Sequence, residues 1–267
     1  MYGNNGNRRP APLGVNLLFT KFIFVTLGND PSAGTHARQA GSAIARGFFN
    51  DFDADGQRDL HMFETIQFMI SGKPRACRDG LLSASHVVQV TAKYRPRLDE
   101  IDAEFRRRLG SMGSVRSLDG AVQAPRYTSA ELDEFACKPA IVRQSGRTMA
   151  NVIILPLSKT DEWWRLNPLR RHTYFYPHAD ATSGEPVKGH AVAAEAGIST
   201  VFRRLYYNPD GYQRPKEYDF VTYFECADQH LRVFDQIRHA LRDERQNPEW
   251  RYVIEGPEWR GRRVLKW

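Results

Sequence analysis

The stretch from 188 to 207, KGHAVAAEAGISTVFRRLYY, joins a short alanine-rich run to a β-branched and aromatic run that holds two arginines. Read as a helix over 187–197, it puts His190, Ala193, Ala194 and Gly197 on one face, almost bare of side chains. Two readings stand. Either the histidine packs where two elements approach closely, or it projects to an iron, with small residues leaving room for a flat macrocycle. The second run, 199–207, reads as a strand, in which side chains alternate. Arg203 then shares a face with Val201, Leu205 and Tyr207, and Arg204 with Thr200, Phe202 and Tyr206. Whichever face is buried, a positive charge sits inside or at its rim. A buried arginine needs an anionic partner, either a structural carboxylate or a bound anion.

Working outward, 149–157 (MANVIILPL) reads as a strand and 167–197 as an interrupted helical region. YDFVTYFEC (218–226) is a strand, 228–244 a helix, and EWRYVIEG (249–256) a closing strand. The first half repeats the order. Strand 14–27 leads to helix 34–52, then to the strands MFETIQFMISG and SASHVVQVTAKY. Helix 96–110 follows, with Leu98, Ile101 and Phe105 at spacings of three and four, and then the strand SVRSLDGAVQ. Strand, helix, strand, strand, helix, strand is the ferredoxin-like order. The expected fold class is therefore α+β, with two ferredoxin-like repeats forming one antiparallel dimeric α+β barrel. The division is a disordered tail at 1–13, halves at 14–123 and 149–267, and a linker at 124–148.

At 267 residues the chain can bury a sizeable core, and 41% hydrophobic with 26% charged residues is ordinary globular composition. No stretch approaches a membrane-spanning length, and the first residues lack the apolar core of a secretory signal. The net charge of +7 favours anionic ligands. Acidic residues are interleaved with the arginines in RPRLDEIDAEFRRR, which reads as a solvated helix face and not as a nucleic-acid surface. Cys77, Cys137 and Cys226 are far apart and odd in number, so neither a disulfide framework nor a zinc site is expected, and a reducing cytoplasm fits.

DFDADGQRDLHM (51–62) resembles a calcium loop, with Asp51, Asp53, Asp55, Gly56 and Asp59 in position. The twelfth position, which needs a bidentate glutamate, is Met62, so a solvated acidic loop is the better reading. In TDEWWRLNPLRR (160–171), the adjacent Trp163 and Trp164 point different ways and are plausible walls of a pocket.

Three segments in order, ILPLSKTDEWW, TVFRRLYY and YDFVTYFE, resemble the C-terminal haem-binding half of the chlorite dismutase family. The resemblance covers roughly 150–260. It implies a pair of ferredoxin-like repeats forming one barrel, assembled into homo-oligomers, with haem b as cofactor. It makes Arg203 the distal arginine over the iron, puts Thr222 and Phe224 on the distal side, and places Trp163 and Trp164 near the haem edge. The proximal iron ligand is a histidine on the helix before the Arg203 strand. Counting back from Arg203 reaches His190, and counting forward from Trp164 reaches His178. The segment ADATSGEPVKGH lies between them. His190 is preferred, because His178 sits in loop-forming sequence. The family's proximal glutamate has Glu244 and Glu249 as candidates, with Gln246 reached by a gap-light count.

The implied activity is conversion of chlorite to chloride and dioxygen on a small anionic or peroxide substrate, with no nucleic-acid or membrane partner. Leu155 stands where coproheme decarboxylases of the family carry a reactive tyrosine, and those enzymes lack an arginine at the Arg203 position. A peroxidase-like enzyme or a non-catalytic haem-binding module on the same barrel are the alternatives.

Overall fold

The computed structural model describes residues 18–49, 63–71, 81–122, 151–211 and 217–266. The tail 1–13, the acidic loop 51–62, Cys77, Cys137 and the linker 124–148 lie outside these residues.

The first half runs Leu18–Leu27 (β1), Ala33–Phe49 (α1), Phe63–Ser71 (β2), His86–Ala92 (β3), Arg95–Leu109 (α2) and Gly113–Val122 (β4). The second opens with Asn151–Lys159 (β5) and two short helices, Asp161–Arg165 (α3) and Pro168–Thr173 (α4). A small hairpin follows, His178–Ala179 (β6) and Pro186–Val187 (β7), and then Gly189–Ala193 (α5). Val201–Tyr207 (β8), Phe220–Cys226 (β9), Leu231–Arg242 (α6), Val253–Glu255 (β10) and Trp259–Lys266 (β11) complete it.

Each half pairs as a ferredoxin-like sheet, in the order β4-β1-β3-β2 and β11-β5-β9-β8, all antiparallel. The two sheets join edge to edge. β11 runs beside β2 from Gly261↔Ser71 to Lys266↔Gln67, and β4 meets β8 at Ala121↔Tyr207. The eight strands thus form a circuit of pairings, with a thin β4–β8 seam.

The near-continuous apolar runs reflect two buried faces, as in sheets covered on both sides. Along β1, Phe22 and Phe24 point into the inner core, while Ile23 and Val25 pack under α1 and α2. In the second half Val152, Ile154, Phe202, Tyr206, Val221 and Tyr223 point inward. Ile153, Val201, Phe224 and Cys226 face the other way, against Phe234, Ile237 and Leu241 of α6. Among the described residues, no helix is long and apolar enough to cross a membrane.

The expected closing strand at 249–256 is corrected. Pro248 starts a 3-10 turn, Pro248–Tyr252, and only Val253–Glu255 pairs with β5. The strand that closes the half is β11. Its arginines disguise it: Arg260 and Arg262 point outward, and the buried Arg263 meets the buried Glu225 at 3.3 Å.

Candidate functional site

His190 is placed by a locked turn. Gly189 has φ +77°, donates its N–H to the Gln246 carbonyl at 3.0 Å, and presses so closely on Tyr176 that a Cβ would lie 2.4 Å from that carbonyl oxygen. The next two N–H groups bond to the carbonyls of Tyr174 (2.9 Å) and Phe175 (3.1 Å). α5 therefore starts in one fixed orientation. The helix expected over 187–197 is shorter: α5 ends at Ala193, and Glu195–Gly197 is a 3-10 turn.

The bare face also has a different cause from room for a macrocycle. Ala193 packs in the outer core with Phe224, Phe234 and Ile237. A Cβ on Gly197 would lie 2.1 Å from Ile237 Cδ1. Small residues are required there because α6 approaches closely.

His190 Nδ1 lies 2.7 Å from Glu249 Oε2, and Nε2 lies 3.3 Å from Arg203 Nη2. A carboxylate partner takes the proton of Nδ1 and leaves the lone pair on Nε2, so Arg203 donates to Nε2. Burial pushes the imidazole below its ordinary pKa of 6.5. Glu249 opposes that shift, and Arg203 and Lys159 reinforce it. The ring is neutral, with its basic nitrogen facing the pocket.

Behind His190 stands a buried chain of charges. Glu249, 3% exposed, also accepts a hydrogen bond from Lys159 Nζ at 2.5 Å. Burial alone would raise the Glu249 carboxyl, but Lys159 and His190 hold it well below the usual carboxylate range. Burial lowers Lys159, and Glu249 pulls it back up. The Glu249 carboxyl is therefore ionised opposite Lys159. Of the acidic candidates, the one at His190 is thus Glu249. Gln246 contributes its backbone carbonyl to Gly189.

Lys159 Nζ lies 4.3 Å above the Trp163 ring, which packs 5.7 Å from Tyr174 and 5.6 Å from Tyr252. Trp164 points elsewhere. Its Nε1 donates to Asp219 Oδ2 at 3.2 Å, and its ring stacks on Phe220. Neither tryptophan is among the residues that line the pocket with His190 and Arg203. His178 lies in β6, bonded through Nδ1 to the Tyr176 carbonyl at 2.8 Å and edge-on to Tyr174, and it does not line that pocket either.

The pocket brings together residues from five strands and helices and from the 3-10 turn Pro248–Tyr252. β5 contributes Leu155 and Leu157, β8 Arg203, and β9 Thr222 and Phe224. α5 contributes His190, and α6 covers them with Phe234, Ile237 and Leu241. Arg238, Arg242 and Trp250 complete the lining. Thr222 Oγ1 is buried and has no hydrogen-bond partner among the described residues. Sequence reading had missed Lys159, Arg238 and Arg242. Lys159 had one signal: a lysine ending an apolar strand needs a counter-charge once buried.

No protein-family model matches the chain, and no curated protein matches it in sequence. Solved structures do match. Chlorite dismutase from Candidatus Nitrospira defluvii in complex with imidazole aligns with a TM-score of 0.65 at 20% identity, covering 93% of this chain and 91% of that one. A mutant of the same enzyme in complex with cyanide gives 0.64 at 20% identity, with 93% and 91% covered. A third structure, itself only provisionally assigned as a chlorite dismutase, gives 0.61 at 13% identity, with 93% and 95% covered. The chain has the chlorite dismutase fold.

Proposed function

We propose that this protein is a haem-dependent oxidoreductase that converts chlorite to chloride and dioxygen, with His190 as the iron ligand and Arg203 as the catalytic cation. The observation that carries this reading is the shared pocket. Within it, a neutral histidine backed by a buried carboxylate turns Nε2 toward Arg203, whose guanidinium donates to it at 3.3 Å and would give up that lone pair to an iron.

The residues present suit a haem. The donor is an imidazole with its second nitrogen tied to Glu249, the arrangement that fixes the tautomer and raises ligand basicity. The walls are apolar, and the buried hydroxyl of Thr222 offers a polar atom inside them. Haem, when bound, supplies the redox-active iron for oxygen-atom transfer.

The chain's own side chains do the rest. Glu249 keeps the Nδ1 proton away from Nε2, and Lys159 keeps Glu249 ionised. Arg203 draws in the chlorite anion and retains the negatively charged product fragment until chloride and dioxygen form. Leu155, Leu157 and Phe224 line the same pocket beside the exposed Arg203 guanidinium. Leu155 has no phenol to oxidise, which favours this chemistry over coproheme decarboxylation.

We further propose a homo-oligomer in a reducing compartment such as the cytoplasm, a setting that accords with the buried free thiol of Cys226. Sedimentation of the purified protein tests the assembly.

The functional test is haem reconstitution followed by chlorite addition in an oxygen electrode. The expected result is a five-coordinate ferric spectrum and prompt oxygen release. Dye oxidation by peroxide without oxygen from chlorite would transfer the assignment to a peroxidase. Haem bound with neither activity would leave a binding module.

A further inference from the structure

The pocket has a second cationic feature beyond Arg203. Arg238 and Arg242 stand on α6 one turn apart, about 6 Å along the axis, and both line the pocket. Their side chains are 39% and 29% exposed, so they stand at its mouth and not in its depth. The other residues of the lining, His190 and Arg203 apart, are apolar or neutral.

We propose that Arg238 and Arg242 form a carboxylate clamp that receives the two propionates of the haem. This rests on the haem reading above and extends it to how the cofactor is recognised and which edge faces outward. The macrocycle has an apolar body and an acidic edge. The body belongs against Leu155, Phe224 and Ile237, and the edge belongs where cations meet solvent.

Both arginines already bind carboxylates. Arg238 Nη1 contacts both carboxylate oxygens of Glu258, at 3.2 and 3.3 Å. Arg242 forms a two-pronged pair with Glu255, through Nε at 2.6 Å and through Nη2, while its guanidinium lies over Trp250 at 5.7 Å. The planar fork of arginine suits two-point recognition of carboxylates. Exchange of Glu258 and Glu255 for propionates replaces one carboxylate partner by another, so each arginine keeps a counter-charge of the same kind. Asp235 lies 3.9 Å from Arg238.

The experiment compares two ligands on the whole protein by spectral titration: haem, and iron protoporphyrin dimethyl ester, in which the propionate charges are capped. Wild type is expected to bind haem at least tenfold more tightly than the ester. Arg238→Gln and Arg242→Gln should each weaken haem by about tenfold, as for a charge-assisted hydrogen bond. Both should leave ester affinity unchanged, which also reports an intact pocket. Equal affinity of wild type for the two ligands, or equal losses for both in the variants, overturns the clamp while leaving the haem reading in place. Failure of wild type to bind either ligand overturns the haem reading and the clamp with it.

Discussion

Glu249 reaches His190 across 59 residues of chain and places Oε2 2.7 Å from Nδ1, with Lys159 Nζ 2.5 Å from its other oxygen. That contact orients the imidazole, sets its tautomer and makes its outer nitrogen the basic one. Removal of the carboxylate acts on both stability and ligand strength. Glu249→Gln leaves the Lys159 ammonium buried without its counter-charge, at a cost of about 3–5 kcal/mol. Glu249→Gln with Lys159→Met removes both charges and should recover much of that loss in denaturant titrations. In haem-loaded protein the single variant should also raise the iron reduction potential, because the axial ligand becomes less basic.

His190→Ala should abolish five-coordinate haem binding, while His178→Ala, in the β6–β7 hairpin, should leave it largely intact. A haem titration followed by its absorption spectrum distinguishes them. The reverse pattern would move the iron ligand into the hairpin.

Arg203→Gln should retain haem, because the proposed iron ligand is on a different element. Chlorite turnover should fall by about a hundredfold or more, the usual scale for losing a charge that stabilises a transition state. Hypochlorite should then escape and become trappable. Unchanged turnover with haem retained would sink the assignment of Arg203.

Stability should fall on the acid side in two stages. The folded pKa of His190 is lowered below 6.5, so the unfolded chain binds the proton more readily. Its contribution is present in full above about pH 6.5 and is lost as pH falls below it. The buried His86, also lowered, acts in the same window. Glu249 is held below its ordinary 4.5, so its contribution is lost as pH falls under about 4.5. Melting temperature followed from pH 8 to pH 3 should show both stages, and His190→Gln should flatten the first.

Gly189→Ala should destabilise the protein by at least about 1–2 kcal/mol, since φ +77° disfavours a side chain and the Tyr176 carbonyl occupies its space. Haem affinity should fall in parallel, because the same turn aims His190. Thermal melts and haem titration of one preparation test both effects.

Element order was legible in the chain because hydrophobic periodicity is local. Strands buried on two faces leave unbroken apolar runs, and helices such as α2 leave a period near 3.6. That repeated order carried the fold class, and the alternation along 199–207 put Arg203 and Arg204 on opposite faces. Local pattern failed where tertiary demands overrode it. β11 has arginines at 260, 262 and 263 and no element is expected there from the sequence, yet it is a strand with Arg263 inside, where Glu225 meets it. EWRYVIEG reads as a strand, yet its first half belongs to the 3-10 turn that Pro248 starts, where Glu249 meets His190.

The pairing of Glu249, and not Glu244 or Gln246, with His190, and the placing of His190 but not His178 beside Arg203 in the pocket, belonged to the tertiary structure alone. Those choices depend on which side chains meet across long stretches of chain, and on the desolvation that forces Lys159, Glu249 and His190 to satisfy one another. The small residues of α5 and of the 3-10 turn after it carry the same lesson. Their spacing is visible in the sequence, but only the approach of Ile237 on α6 shows what a side chain at Gly197 would meet, a Cβ lying 2.1 Å from Ile237 Cδ1.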